Sequence, residues 1–190
     1  MADTALVVID MINLYEHEDA DLLLPSVREV LPTVGDLIGR ARDAGVEVIY
    51  VNDNYGRWRS HHEELLKAAL NGPHGDLVEP IRPDENSLFV VKARHSIFFQ
   101  TPLEYLLGTQ GIDHLVLCGQ VTEQCVLYSA LDAHIRHLRV TVARDAVAHI
   151  HRDLAESALR MMERNMGAEV LTADAVRLRT SGADIPVGAG

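Results

Sequence analysis

The sequence predicts an α/β protein of three layers, in which helices cover both faces of a parallel six-stranded sheet. Two observations indicate this fold. Six short β-rich runs recur along the 190-residue chain, and they are nearly continuous in apolar residues, which is typical of strands buried on both faces of a parallel sheet. Helical patterns separate these runs, and such an alternation indicates βαβ units with right-handed crossovers.

Each element has its own sequence signal. The β-rich runs predict strands at residues 5–10, 46–51, 87–92, 114–119, 138–143 and 168–172. Residues 26–44 place apolar side chains at helical spacing before Gly45, and Pro32 inside that pattern predicts a kink or two shorter helices. Two later helical stretches, TPLEYLLGTQG and DLAESALRMMERNMG, end at Gly111 and Gly167. Asp153 is the expected N-cap of the second.

Composition and charge exclude several classes of function. The formal net charge of −11, without any run of Lys or Arg, argues against a nucleic acid or an anionic membrane as partner. The apolar run near the N-terminus is too short to span a bilayer. Two cysteines seven residues apart do not form a disulfide framework, so we expect a cytoplasmic protein. We predict one domain over residues 1–179, followed by a flexible tail at 180–190.

Three chemically useful side chains follow predicted strands. Asp10 and Lys92 end the first and third strands, and Cys125 opens the helix after the fourth. Taken singly, Asp10 is typical of a turn residue and Lys92 of a side chain that extends from the core to solvent. With Thr122 as N-cap, Cys125 is the third helical residue, where the helix dipole is expected to lower the thiol pKa. Cys118, inside a strand, is the expected structural cysteine.

Together these residues predict nucleophilic acyl chemistry, because ligands bind at the carboxyl ends of strands in such sheets. Cys125 attacks a carbonyl carbon, and Asp10 accepts the thiol proton and returns it to the leaving nitrogen. Lys92 holds the charge between them. Backbone N–H groups of the turn at 119–125 are placed to bind the oxyanion.

The sequence resembles the isochorismatase-like cysteine hydrolases, the superfamily of nicotinamidases, N-carbamoylsarcosine amidohydrolase and isochorismatase. The resemblance runs from about residue 5 to 173 and is carried by VVIDMINLY, VVKARHSIFFQTPLEYLL, LVLCGQVTEQCVLYSALDA and VARDAVA. It implies the strand order 3-2-1-4-5-6, an Asp10–Lys92–Cys125 catalytic set and a thioester acyl-enzyme. It also implies a cis peptide bond between Gln120 and Val121, with the N–H groups of Val121 and Cys125 directed at the oxyanion. Family members commonly form dimers, tetramers or octamers, so we predict a homo-oligomer.

The metal ligands of the metal-dependent nicotinamidases are incomplete in this chain. Those enzymes carry an Asp-x-His pair after the second strand, whereas here Asp53 is followed by Tyr55 at the position of that His. His61 and His62 are typical of the solvated face of a helix, although imidazole also suits zinc. No Walker loop, GxGxxG turn, CxxC pair or HExxH helix occurs. We therefore expect neither a metal nor an organic cofactor.

The predicted pocket walls come from three loops, and they consist of Asn13, Tyr15, Tyr55, Trp58 and Phe98.

The favoured function is metal-independent hydrolysis of a linear C–N bond, carboxamide or ureido, in a small molecule. One alternative stays in the superfamily, as a nicotinamidase-type or isochorismatase-type hydrolase that uses Asp10 and Lys92 with water. The other is a non-enzymatic oligomer with a binding or structural role, against which the intact set of three residues argues.

Overall fold

Six parallel strands form one sheet in the order β3-β2-β1-β4-β5-β6. The structure is a computed structural model that describes residues 4–56 and 61–179. The strands are β1 (Thr4–Ile9), β2 (Glu47–Asp53), β3 (Leu88–Lys92), β4 (His114–Gln120), β5 (Arg139–Ala148) and β6 (Glu169–Leu171). The helices are α1 (Ala20–Asp43), α2 (His62–Leu70), α3 (Gly75–Val78), α4 (Leu103–Gln110), α5 (Leu127–Ile135) and α6 (Arg152–Met166). The predicted fold class and strand order are confirmed.

The central strand β1 is buried on both faces, as its continuous apolar run predicts. Leu6 and Val8 join a hydrophobic cluster with the inner side of α1, whereas Val7 and Ile9 join a second cluster with α4, α5 and α6. The direction of strand addition reverses between β1 and β4, and ligands bind at such a switch point in open α/β sheets. The topology therefore predicts a site where β1 and β4 end.

Two helices differ from their sequence-based predictions. α1 begins at Ala20 and continues unbroken through Pro25 and Pro32. We attribute this continuity to the buried stripe of α1, whose packing on the sheet outweighs the cost of a proline inside a helix. α6 has His151, not Asp153, at its N-cap, and Glu123 Oε1 accepts hydrogen bonds from the N–H groups of Ile150 and His151 at 3.0 and 2.7 Å. The predicted glycine ends are confirmed, since Gly111 and Gly167 are both left-handed.

Gly119 allows β4 to lie directly against the end of β1. Its φ is +110°, and a Cβ added there would lie 2.2 Å from the carbonyl oxygen of Ile9. We therefore expect Gly119→Ala to lower the free energy of unfolding in urea by about 3 kcal/mol or more, through strain and backbone displacement. Gly108→Ala in α4 is the control, because its Cβ meets nothing within 4 Å. That variant should gain about 0.5–1 kcal/mol, and equal behaviour of the two would contradict the prediction.

Candidate active site

The structure brings the three predicted site residues together at the carboxyl edge of the sheet. Asp10 follows β1, Lys92 ends β3 and Cys125 lies in the turn after β4, and all three are buried. Lys92 Nζ lies 2.8 Å from Asp10 Oδ2 and 3.7 Å from Cys125 Sγ. The carboxylate of Asp10 also interacts electrostatically with the thiol, whose pKa it raises. A carboxylate, an ammonium group and a thiol therefore form one contiguous cluster.

Backbone and side-chain hydrogen bonds hold the carboxylate of Asp10 in place. Asp10 is left-handed, with φ +55°, and its Oδ1 accepts the N–H of Asp53 at 2.7 Å. The side chain of Gln120 donates to the carbonyl oxygen of Asp10 at 2.7 Å, which ties the end of β1 to the end of β4. A non-glycine residue in this conformation is a strained one that its surroundings must enforce.

Asp53 is a second carboxylate beside the lysine. β2 lies between β1 and β3, so the side chain of Lys92 reaches across the end of β2, where Asp53 Oδ2 lies 3.7 Å from Nζ. From the sequence, Asp53 is expected only as a possible metal ligand. The position of Asp53 could have identified this role beside Lys92. Asp53 ends β2, which lies between β1, followed by Asp10, and β3, which ends at Lys92.

The turn that carries Cys125 differs from the predicted helix N-terminus. Residues Thr122–Val126 form a turn of π-helix in which the carbonyl of Val121 accepts the N–H groups of Gln124 and Val126, both at 3.1 Å. Thr122 is not a side-chain cap, because its hydroxyl donates to the buried carbonyl of Ala148 on β5 at 2.8 Å. Single π-helical turns are frequent at functional sites.

The predicted fall in the thiol pKa is wrong. Burial of Cys125 and the adjacent carboxylate of Asp10 raise its pKa well above the ordinary value, and together they outweigh the lowering effects of Lys92 and of the Val121 N–H. The thiol is therefore protonated at neutral pH. For Cys118, which is fully buried in β4, burial alone raises the pKa to about 12.

The acid–base properties of Asp10 and Lys92 complement that neutral thiol. Burial raises the pKa of Asp10 above its ordinary 3.8, although Lys92 lowers it in part. Burial opposes the charge on Lys92, but its interactions with Asp10, Cys125 and Asp53 offset this and raise its pKa above 10.5. A carboxylate with a raised pKa beside a thiol is a suitable proton acceptor for it.

The turn before the nucleophile has the backbone arrangement that the family resemblance implies. The peptide bond between Gln120 and Val121 is cis. The N–H of Val121 lowers the pKa of the Cys125 thiol. Gln120 is buried, and its Oε1 accepts the hydroxyl of Tyr15 at 3.4 Å.

Two cavities share Tyr55, and one of them borders this cluster. The first has a volume of about 480 Å³ and is lined by Asp53, Asn54, Tyr55, Gly56, Ala93, Arg94, His95 and Phe99. The second, of about 350 Å³, is lined by Asn13, Leu14, Glu16, His17 and Tyr55. Asp53 and His95 connect the first cavity to the cluster, because they contact Lys92 and Cys125. Of the predicted wall residues, Tyr55 lines the cavity beside the cluster, and Asn13 lines the second cavity, which shares Tyr55.

The other predicted wall residues have different positions. Tyr15 is buried and supports Gln120, and Phe98 is buried beneath the guanidinium of Arg136, 4.7 Å from its ring centroid. Neither lines these two cavities, and a substrate contact of Tyr15 or Phe98 stays a prediction. Phe99, the next residue in the turn, is half exposed and supplies the aromatic surface instead. Trp58 lies outside the described residues.

His95 was missed by sequence analysis. Its Nδ1 lies 3.8 Å from Cys125 Sγ, which places a second nitrogen base at the candidate nucleophile. The sequence feature that could have identified His95 is its position three residues after Lys92.

Asp53, His61 and His62 are the possible metal ligands in the sequence. Within residues 4–56 and 61–179, no three His, Cys, Asp or Glu side chains are grouped so that they could hold a metal ion. Asp53 faces Lys92, and the ring of His62 packs on Phe89 with centroids 5.4 Å apart. In the same described residues, no helix combines the length and apolarity required to cross a membrane.

The family model of the isochorismatase domain matches residues 4–175. The chain belongs to the isochorismatase family. It is similar to the uncharacterized isochorismatase family protein YaaI of Bacillus subtilis, with 31% identity over 92% of this chain and 97% of the relative. Among the relatives of this isochorismatase-family chain is the maleamate amidohydrolase of Pseudomonas putida, 30% identical over 91% of this chain and 85% of that enzyme.

A solved structure that is similar to this chain agrees with the fold. The crystal structure of N-carbamoylsarcosine amidase from Thermoplasma acidophilum superimposes with a TM-score of 0.73 at 29% identity, covering 93% of this chain and 99% of that chain. Relatives that are hydrolases of amide and carbamoyl compounds support an enzyme rather than a structural protein.

Proposed function

We propose that this isochorismatase-family protein is a cysteine hydrolase that cleaves a linear C–N bond, carboxamide or ureido, of a small molecule through a thioester acyl-enzyme. The observation that carries the proposal is the buried cluster in which Lys92 Nζ contacts both Asp10 and Cys125. The similarity to maleamate amidohydrolase and to N-carbamoylsarcosine amidase supports this class of substrate. Nicotinamidase-type or isochorismatase-type chemistry in the same family is the alternative.

In the acylation step, Asp10 accepts the proton of Cys125 as Sγ attacks the substrate carbonyl carbon. The raised pKa of the Asp10 carboxyl favours this transfer from the neutral thiol. The N–H groups of Val121 and Cys125 stabilise the resulting oxyanion, and Lys92 stabilises the charge shared between Asp10 and sulfur. The C–N bond then breaks as Asp10 returns the proton to the leaving nitrogen, which leaves a thioester.

In the deacylation step, water attacks the thioester carbonyl and gives its proton to Asp10. The C–S bond breaks, the acid product leaves, and the proton on Asp10 returns to sulfur. Every proton that this scheme moves is held by Asp10, Cys125, water or substrate. The reaction uses no cofactor.

The two cavities favour a small substrate. Tyr55 lines both, Asn13 lines the smaller one, and Arg94 and His95 add polar groups to the larger one. We propose a cytoplasmic enzyme that acts on a small molecule and not on nucleic acid or a membrane, in keeping with its acidic charge. An exposed stripe on α5, formed by Tyr128, Leu131 and Ile135, supports a homo-oligomer.

The test is the turnover of a panel of amides and ureides by the parent chain and by Cys125→Ala. We expect Cys125→Ala to lose about 1,000-fold or more in kcat, and a covalent adduct on Cys125 of the parent to appear by mass spectrometry. Cys118→Ala is the matched control and should keep its turnover. Parent-like turnover by Cys125→Ala would favour the water-mediated alternative, and no turnover by the parent would favour a non-enzymatic role.

A further inference from the structure

A serine on α5 joins the backbone of the candidate nucleophile to the backbone of the loop that follows β3. Ser129 is fully buried, and its hydroxyl donates to the carbonyl oxygen of Cys125. The same hydroxyl oxygen accepts the N–H of Ile97 at 3.1 Å. Because a hydroxyl carries one proton, the bond to Cys125 directs that proton and leaves a lone pair for Ile97. One oxygen atom therefore connects two backbone segments of the site.

The loop that Ser129 holds, residues 93–99, forms one wall of the cavity of about 480 Å³. These residues form bends and turns rather than a helix or a strand, so side-chain hydrogen bonds largely fix the position of the loop. The wall reaches the reacting atom, because His95 Nδ1 lies 3.8 Å from Cys125 Sγ. The residues of the loop that line the cavity are Ala93, Arg94, His95 and Phe99.

The bond between Ser129 and Ile97 lies in apolar surroundings. Ile97 is fully buried in the hydrophobic cluster that also contains Cys125, Val126 and Ala130. A buried N–H that loses its acceptor is costly unless its segment moves to find another one. The loop has a second hydrogen bond to α5, from the Ser96 hydroxyl to the carboxylate of Asp132, but that bond does not include the nucleophile. The spacing between the loop and Cys125 therefore depends on the Ser129 hydroxyl.

We propose that Ser129 is a positioning residue that sets the distance between Cys125 Sγ and the cavity wall at residues 93–99. This inference rests on the proposed function, in which Sγ attacks a small molecule held in that cavity. A displacement of about 1 Å between a reacting atom and the groups that hold its substrate costs about 100-fold in rate. Asp10 and Lys92 contact the cluster from other strands, so removal of the Ser129 hydroxyl leaves the reactivity of the sulfur itself unchanged.

The test uses two alkylating reagents with the same reacting group, iodoacetamide and N-benzyliodoacetamide. The benzyl ring is chosen to occupy the cavity and contact the half-exposed Phe99, whereas iodoacetamide has no such group. Rates at Cys125 are measured by peptide mass spectrometry, which separates Cys125 from Cys118. We expect the parent to prefer the benzyl reagent and Ser129→Ala to lower the ratio of the two rates about tenfold, with the iodoacetamide rate within about twofold of the parent.

Ser157→Ala in α6 is the matched control. The Ser157 hydroxyl also donates to the carbonyl oxygen four residues earlier, that of Asp153, at 2.9 Å. It lies away from the described cavity, so this variant should keep the ratio of the parent. With an amide substrate from the panel, Ser129→Ala should lower kcat about 10- to 100-fold and change KM by less than about threefold, because the ligand still binds but its carbonyl is misplaced.

Three outcomes would overturn the proposal. The first is an equal ratio in the parent and in Ser129→Ala, whatever its value. The second is an equal loss of rate for both reagents, and the third is faster labelling of Cys118, which reports unfolding and would make Ser129 a residue for stability alone. An unchanged ratio together with lost turnover in Cys125→Ala rejects only the role of Ser129. A lowered ratio together with parent-like turnover in Cys125→Ala rejects the cysteine hydrolase and retains the positioning role.

Discussion

Lys92→Met is expected to lower the free energy of unfolding by about 3–5 kcal/mol at pH 7, because it leaves a buried carboxylate without its cation. The Lys92 side chain is fully buried, and its Nζ lies 2.8 Å from Asp10 and 3.7 Å from Asp53. Methionine fills a similar volume but carries no charge. Turnover should fall by about 100-fold or more, since the charge shared between Asp10 and Cys125 loses its stabilising ammonium group. Urea denaturation and steady-state kinetics measure the two effects.

The dependence of this loss on pH identifies its cause. Burial raises the pKa of Asp10, so protonation neutralises the unpaired carboxyl as the pH falls, and the deficit of Lys92→Met should shrink. The pKa of Lys92 is raised above 10.5 in the folded parent. Its contribution to the free energy of unfolding is therefore complete below pH 10.5 and is lost as the pH rises through the folded-state pKa of Lys92. The variant lacks that alkaline loss.

The chain provides a matched control, because its two lysines are Lys67 and Lys92. Lys67 is exposed on α2, so Lys67→Met should change stability by about 0.5 kcal/mol or less. A deficit of equal size for both variants would contradict the ion-pair explanation. So would a deficit of Lys92→Met that stays constant from pH 4 to 8.

The fold was predictable because its signals are strong and local. Strand β1 is a continuous apolar run, and Gly111 and Gly167 end their helices as their sequence positions predict. α1 was harder, because Pro32 is a local signal for a break while the packing that keeps the helix intact is a tertiary property. The start of α6 also depends on a tertiary contact. Glu123, in the turn after β4, accepts the N–H groups of Ile150 and His151 just before the helix.

The candidate site was predictable where chemistry coincides with a strand end. Asp10 directly follows β1, Lys92 ends β3, and Cys125 follows β4 by a short turn. The thiol pKa was not predictable, because it depends on how deeply the turn is buried and on its distance from Asp10. His95 was missed for a related reason, since its contact with sulfur is made by the fold of a loop and not by its spacing in the chain.

Asp10→Asn is expected to speed the alkylation of Cys125 and to slow turnover. The carboxylate raises the thiol pKa, so its removal should make the thiol more acidic and speed alkylation of Cys125 at neutral pH. Turnover should nevertheless fall by about 100- to 10,000-fold, because the amide cannot accept the thiol proton or return it to the leaving nitrogen. Lys92 keeps Asp53 as a carboxylate neighbour at 3.7 Å, which limits the loss of structure. Cys118 in the same samples is the internal control for unfolding.

The stability of Asp10→Asn adds an independent check on the same carboxyl group. The pKa of Asp10 is 3.8 in the unfolded chain and higher in the folded parent. At a pH between the unfolded and the folded pKa, the folded parent therefore binds more protons than the unfolded chain. The parent therefore loses stability as the pH rises through that window, and Asp10→Asn should lack this slope in urea titrations. Slower alkylation together with slower turnover would mean that Asp10 supports the thiol rather than accepting its proton. Faster alkylation with lost turnover and a missing slope is the outcome that a buried general base requires.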